Sequence, residues 1–354
     1  MNSTTEYTVR TARGPKLFRP TNGVTLPHEH ILIDSRVWWE GKGNSQDFDD
    51  PEILASTSWA DLAVYPQALT RENMVLSDWY LAAKELRLAK ESGTQLVVDL
   101  TVLGCGPNAE LSVRAADAAG LDVVLSSGRY LHETLSLKER AVSVDELTDR
   151  WVAQTCEGMD GYFPGVIGEI GTSEVITDAE DVSLRAAART QQLTGLPINI
   201  HVHPFAGRAL EAIGVVETAG ADLSAVAISH LDCALEVTQL LKILQTGVFI
   251  EMDNFGTSRD RLVQGTGYPD DKERLDVIEE LRERGYGSRI LLSHDINHRN
   301  SLVSNGGWGY AHIGMNVVPL LEERFGERET RVIVAENPLN FLSTASTTAR
   351  EVNH

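Results

Sequence analysis

Leu26-Pro27-His28-Glu29-His30-Ile31-Leu32-Ile33 reads as an extended segment whose polar positions alternate. Side chains of a strand point to opposite faces in turn, so His28 and His30 share one face and Glu29 takes the other. Two neutral imidazoles side by side suit one metal ion, although a His-x-His pair alone is equally the mark of two structural histidines. What tips the reading is the company it keeps. Glu169 falls near the end of the run Gly165 to Ile170, His201 near the end of Pro197 to Val202, His230 at the end of Val226 to His230, and Asp295 at the end of Arg289 to Asp295. Residues so far apart in sequence meet only if the fold gathers strand ends into one mouth, and nitrogen and oxygen donors of these kinds suit a pair of divalent cations.

The rest of the chain supplies such a fold. Eight short apolar runs, Val24 to Ile33, Gln95 to Thr101, Asp122 to Ser127, Gly165 to Ile170, Pro197 to Val202, Val226 to His230, Val248 to Asp253 and Arg289 to Asp295, alternate with segments of helical period. The spacing predicts helices over Arg71 to Glu91, Ala109 to Ala119, Val144 to Gly158, Asp178 to Leu193, Gly207 to Ala219, Ala234 to Gln245 and Asp271 to Arg284, with Ala311 to Phe325 and Glu329 to Leu342 closing the ring. Ser143 with Glu146, and Thr177 with Glu180, have the spacing of capping boxes. Gly93, Gly120, Gly195, Gly220, Gly247 and Gly285 stand where helices should stop. Eight strand-helix units with no linker or shift in composition predict an α/β fold, a (β/α)8 TIM barrel in a single domain over residues 1–354 with its core at about 23–343. In that fold, chemistry belongs at the C-terminal strand ends, where the proposed ligands lie.

A chain of 354 residues with 42% hydrophobic content can bury a large core. Its formal net charge of −20 repels nucleic-acid phosphates and anionic membranes, which leaves a small-molecule substrate as the expected partner. Cys105, Cys156 and Cys233 are too few and too scattered for a disulfide framework, so a reducing, cytoplasmic setting is expected. The polar stretch Met1 to Pro20 has no apolar signal region, and nowhere do eighteen apolar residues run together.

Some residues keep two readings at this point. A buried Glu169 could pair with Arg129 instead of a metal, and His201 shares strand parity with His203, so spacing does not say which of them is the ligand. Taken together, the Leu-Pro-His-Glu-His start, the Glu169 segment, the histidines after the fifth and sixth runs, Ser293-His294-Asp295, and Glu336-Asn337-Pro338 with Phe341 resemble the phosphotriesterase family of the amidohydrolase superfamily. The Glu169-Ile170-Gly171-Thr172-Ser173-Glu174 and Gly306-Gly307-Trp308-Gly309-Tyr310 stretches make it most similar to the phosphotriesterase homology proteins and phosphotriesterase-like lactonases.

The resemblance implies a binuclear centre in which His28, His30 and Asp295 hold the more buried metal, His201 and His230 the more exposed one, and Glu169 bridges them. Many relatives bridge through a carboxylated lysine. A glutamate brings the same charge and two oxygens, and it shifts the expected substrate range away from efficient organophosphate hydrolysis. Gly104-Cys105-Gly106-Pro107-Asn108 stands where relatives often carry an arginine. Zinc is the expected metal, with manganese, cobalt and iron also compatible with such donors. The implied activity is attack of a metal-activated hydroxide on a lactone or carboxylic ester, with Asp295 as proton shuttle. Amide, carbamate or phosphotriester hydrolysis is the alternative, and outside enzymes a metal-holding binding protein. Asp232 is either a partner orienting an imidazole or a solvated loop carboxylate. Tyr130, matching the tyrosine that lactonase relatives place near the substrate carbonyl, His132 and Arg299 are the expected substrate contacts, each weighed against plain packing or exposure. Trp38, Trp39, Phe48, Trp59 and Tyr65 in the long first loop suggest a lid or the contact of a homodimer.

Overall fold

The computed structural model describes residues 5–38, 71–257, 262–263 and 266–343. Eight parallel strands, β1 (Val24–Glu29), β2 (Thr94–Asp99), β3 (Asp122–Ser127), β4 (Pro164–Gly171), β5 (Ile198–His201), β6 (Val226–Ile228), β7 (Phe249–Met252) and β8 (Ile290–Leu292), pair in chain order. The ring closes by side chain and end group: Asp295 donates its backbone N–H to the His28 carbonyl at 3.3 Å, and His28 donates its own to the Ser293 hydroxyl at 3.1 Å. Helices lie between the strands, so the expected (β/α)8 TIM barrel is the fold observed.

Local chemistry explains most boundaries. Both expected capping boxes form, and Asp270 with Glu273 makes a third. The first crossover helix starts at Trp79 rather than Arg71, because Asp78 caps it and Val75–Leu76 pairs with Ile33–Asp34 in extended form. Toward the C-terminus, Gly326 at φ +77° breaks the helical course near the expected gap between Phe325 and Glu329.

The interior of the barrel changes along its axis. At the N-terminal end, Leu96, Val98, Val124, Val166, Ala227, Phe249 and Leu291 pack with Val9 and Phe18 of a hairpin, Tyr7–Thr11 with Gly14–Phe18, and with Leu339, Phe341 and Leu342. That hairpin closes the base and lies ahead of the first apolar run recognised in the sequence. Two glycines allow close approach at the other end. A Cβ on Gly168, at φ +113°, would lie 2.1 Å from the Asn199 carbonyl oxygen, and one on Gly171 would lie 2.6 Å from the backbone of Tyr130 and Leu131. The first-loop residues Trp39, Phe48, Trp59 and Tyr65, on which a lid or homodimer contact was expected, lie outside the described residues, as does part of the seventh loop. Among the described residues no helix is long and apolar enough to cross a membrane.

Candidate metal centre

Strand β4 brings Glu169 into the mouth because its register shifts between Ile167 and Ile170, turning the carboxylate inward from a run that is otherwise apolar. His230 and Asp295 lie just past the ladders of β6 and β8 in left-handed backbone conformations, at φ 60° and 49°, uncommon for side-chain-bearing residues and found where a site fixes them. Glu169 Oε1 stands 2.7 Å from His201 Nδ1, 3.1 Å from His230 Nε2 and 3.7 Å from His28 Nε2, while its Oε2 is 3.8 Å from His30 Nε2. Asp295 Oδ1 lies 3.2 Å from His30 Nε2 and 3.7 Å from His28 Nε2. All six residues named from the sequence are therefore brought together. His203 lines the same cavity but is not among the donors that close on Glu169.

The remaining atoms of these ligands are held from behind. His28 Nδ1 meets Glu251 Oε2 at 2.7 Å, His30 Nδ1 meets the Thr101 hydroxyl at 3.0 Å, and His230 Nδ1 meets Asp253 Oδ1 at 3.1 Å. Such partners fix the tautomer that leaves the other nitrogen free for a cation. Glu251 also accepts from Asn199 and Ser229, at 2.9 and 2.8 Å. Glu29, on the opposite face from His28 as alternation predicts, accepts from the His294 and Ile296 backbone and meets His294 Nδ1 at 2.6 Å. It thereby pins the turn that carries Asp295.

Glu251 and Asp253 did not emerge from the sequence. Their signal was there: two acids in the parity of Phe249 within the apolar run Val248 to Asp253. Asp232 has neither of its expected roles. It is fully buried and binds Arg274 Nε at 2.6 Å and the Asn254 side chain at 2.9 Å. Arg129 is engaged with Ser183, Ala179 and Glu139, so it is not the partner of Glu169.

Charge follows geometry. Burial opposes ionising Glu169, but His201, His230 and His28 outweigh it and hold the carboxyl well below its usual range. Burial likewise opposes charging His28 and His230, and the carboxylates of Glu251 and Asp253 reverse the balance, raising both. His201 goes down, because burial outweighs Glu169 there. Among the described residues, His28 Nε2 and Asp295 Oδ1, 3.7 Å apart, are buried without a hydrogen-bond partner. Unpaired buried polar atoms are costly, and an imidazole nitrogen lying 3.7 Å from both the Glu169 and the Asp295 carboxylates is placed for a cation to satisfy. Two sets, His28 with His30 and Asp295, and Glu169 with His201 and His230, each converge closely enough to share an ion, so the residues present fit the metals that the sequence implied.

The cavity above these groups is walled by Ile33, Trp38, Phe205 and Tyr268, with Tyr130, Asn254, Asn297 and His298 as its polar edges. Tyr130 is buried at this wall, its hydroxyl 3.3 Å from His201 Nδ1. His132 and Arg299 are not brought there. His132 opens a short turn with its backbone bound to Glu180, and the Arg299 guanidinium is drawn to the Val75 carbonyl beside a separate cavity lined by Ile31, Leu302 and Tyr310.

A barrel with a buried imidazole-carboxylate cluster at the C-terminal strand ends defines a metal-dependent hydrolase. The chain belongs to the phosphotriesterase family, whose model matches residues 7–342. It is 32% identical to the N-acetyltaurine hydrolase of Dictyostelium discoideum over 91% of this chain and 94% of that protein. Among solved structures it is similar to a resiniferatoxin-binding protein from Rhodobacter sphaeroides, with a TM-score of 0.85 and 31% identity over 95% of each chain. It is also similar to the phosphotriesterase homology protein of Escherichia coli solved with phosphate in its active site, with a TM-score of 0.75 and 28% identity over 92% of this chain and all of that one (100%).

Proposed function

We propose that this hydrolase holds two divalent cations, zinc first among them, and cleaves the acyl bond of a small carboxylic amide. The observation that carries the reading is Glu169 converging with His201 and His230 next to the set of His28, His30 and Asp295, with an Asp295 oxygen that no described protein group satisfies. Cys105 and Cys233 line the cavity, yet burial pushes both thiols well up, and neither belongs to a donor set, which favours metals content with nitrogen and oxygen. Cations bound there would acidify water and polarise a substrate oxygen.

The chain's own groups do the rest. Glu251, Thr101 and Asp253 hold three imidazoles in one tautomer. Asp295, its Oδ2 accepting from the Asn297 amide at 2.9 Å, takes the proton of the attacking water and delivers it to the leaving nitrogen, which an amide needs more than an ester does. Burial, reinforced by Glu169, pushes the Tyr130 phenol well up, so it stays a neutral donor to the substrate oxygen. The apolar wall excludes bulk water. An amide takes first place because relatives about a third identical along almost the whole chain are named for one. Lactones and carboxylic esters stand second, favoured by Tyr130 at the cavity wall, and phosphotriesters are a side activity.

Metal-stripped protein assayed with and without added zinc or manganese on N-acetyltaurine, N-acetylated amino acids, lactones, aryl esters and a phosphotriester tests this. Metal-restored turnover should be greatest on N-acyl amides. Preference for lactones would reverse the order of substrates, and no metal-dependent turnover on any of them would end the reading.

A further inference from the structure

We propose that Trp38 is a positioning residue that aims the Tyr130 hydroxyl proton at the reacting oxygen of the substrate. Trp38 ends the single turn Arg36–Trp38, and its indole Nε1 donates to the Tyr130 oxygen at 2.7 Å. An indole nitrogen can only donate, so the phenol oxygen is the acceptor in this bond and its own proton must go elsewhere. Among the described residues, the protein group within reach is His201 Nδ1 at 3.3 Å. That nitrogen also faces Glu169 Oε1 at 2.7 Å and His230 Nε2 at 2.8 Å. It is thus the atom that His201 presents to Glu169 and His230, and a cation held there would use its lone pair. The phenol proton is then left to an oxygen in the cavity.

The turn carrying Trp38 is fixed. Asp34 donates its backbone N–H to the Cys105 carbonyl at 2.8 Å, Ser35 bonds the carbonyls of Met74 and Asn297 through its hydroxyl, and Arg36 closes on Asp34. The indole itself lies over both His201 and His203, with ring centroids 5.7 Å away in each case. One side chain therefore packs against the ligand His201 and decides which way the neighbouring hydroxyl points.

The inference rests on the acyl-hydrolase reading above, and the test separates the two. Trp38→Phe, Tyr130→Phe and the double substitution are compared on the best acyl substrate. Trp38→Phe keeps an aromatic side chain but loses the pyrrole N–H, and should lower kcat about 10-fold with KM little changed, the scale of one directed hydrogen bond in a transition state. In the Tyr130→Phe background the same change should cost almost nothing. A second readout needs no turnover: in metal-free protein labelled with 15N-tryptophan, Tyr130→Phe should move the Trp38 indole N–H resonance upfield. Additive losses in kcat, an unaltered indole resonance, or an unimpaired Trp38→Phe would each overturn the role of Trp38 while leaving the hydrolase standing. Absence of any acyl hydrolysis by the unsubstituted protein overturns both. If Trp38→Phe does not fold, the resonance in Tyr130→Phe still decides.

Discussion

At the base of the barrel, Phe249, Val166 and Leu291 meet the hairpin residues Val9 and Phe18, whereas toward the mouth β7 carries Glu251, β4 carries Glu169, and the chain just past β8 carries Ser293 and Asp295. Between Phe249 and Glu251 lies only one pleat of β7. The base requires volume and apolarity, and any well-packed hydrophobic set of the right size would serve. The mouth requires identity at each position, since the imidazoles and carboxylates there are matched to particular partners or converge as a cation's donors. A substitution at the base should therefore be read in stability and one at the mouth in chemistry, although both lie on the same strands.

The sharpest way to break that division is Asp295→Asn. It keeps the shape and the Asn297 contact in large part while removing the proton acceptor, and kcat should fall about 10³-fold with the unfolding midpoint little changed. Equal activity would show that the mouth does not use Asp295 for proton transfer. The converse is Phe249→Ala, which empties a buried site packed against Phe341 with ring centroids 5.5 Å apart. It should cost about 3–5 kcal/mol in urea unfolding, while metal content and kcat per folded molecule hold. Loss of kcat in step with stability would mean that base and mouth are one cooperative unit in function as well as folding.

Glu251→Gln probes the layer between. Glu251 accepts from His28, Asn199 and Ser229 together, so neutralising it removes the charge that fixes the His28 tautomer and places a donor where three others converge. Metal affinity should drop about 10- to 100-fold in chelator competition. An affinity unchanged from the unsubstituted protein would assign Glu251 to the base rather than the mouth.

The ring and the ligand set were legible because strand ends carry them: periodicity finds the runs, and His28, His30, His201, His230, Asp295 and Glu169 stand at or near those ends. What was not legible depends on approach across space. Alternation put Glu29 on the other face but could not show that its carboxylate binds the turn after β8. Asp232 looked like a neighbour of His230, yet Arg274, from the helix Asp271–Glu283, claims it. Arg299 and His132 were placed near the mouth by loop membership alone, and loop membership does not fix direction.

The smallest effect belongs to a region that is neither base nor mouth. Asp271 opens the helix after β7; it meets His312 Nε2 at 2.6 Å and accepts from the Gly256 backbone at 2.9 Å, tying two loops behind the cavity. Burial opposes ionising this carboxyl, but the bonds from His312 and Gly256 prevail and lower its pKa. A depressed native value means that the folded state holds its proton less tightly than the unfolded chain. The stabilisation is therefore complete above the unfolded value of about 3.9 and is lost as pH falls below it toward the native one. Asp271→Asn should remove about 1 kcal/mol near neutral pH and flatten the acid limb of urea midpoints measured from pH 7 to below 4, with kcat at pH 7 unaltered. If the acid limb kept its slope, the coupling of these loops would lie elsewhere; if kcat fell as well, the mouth would extend outward to include them.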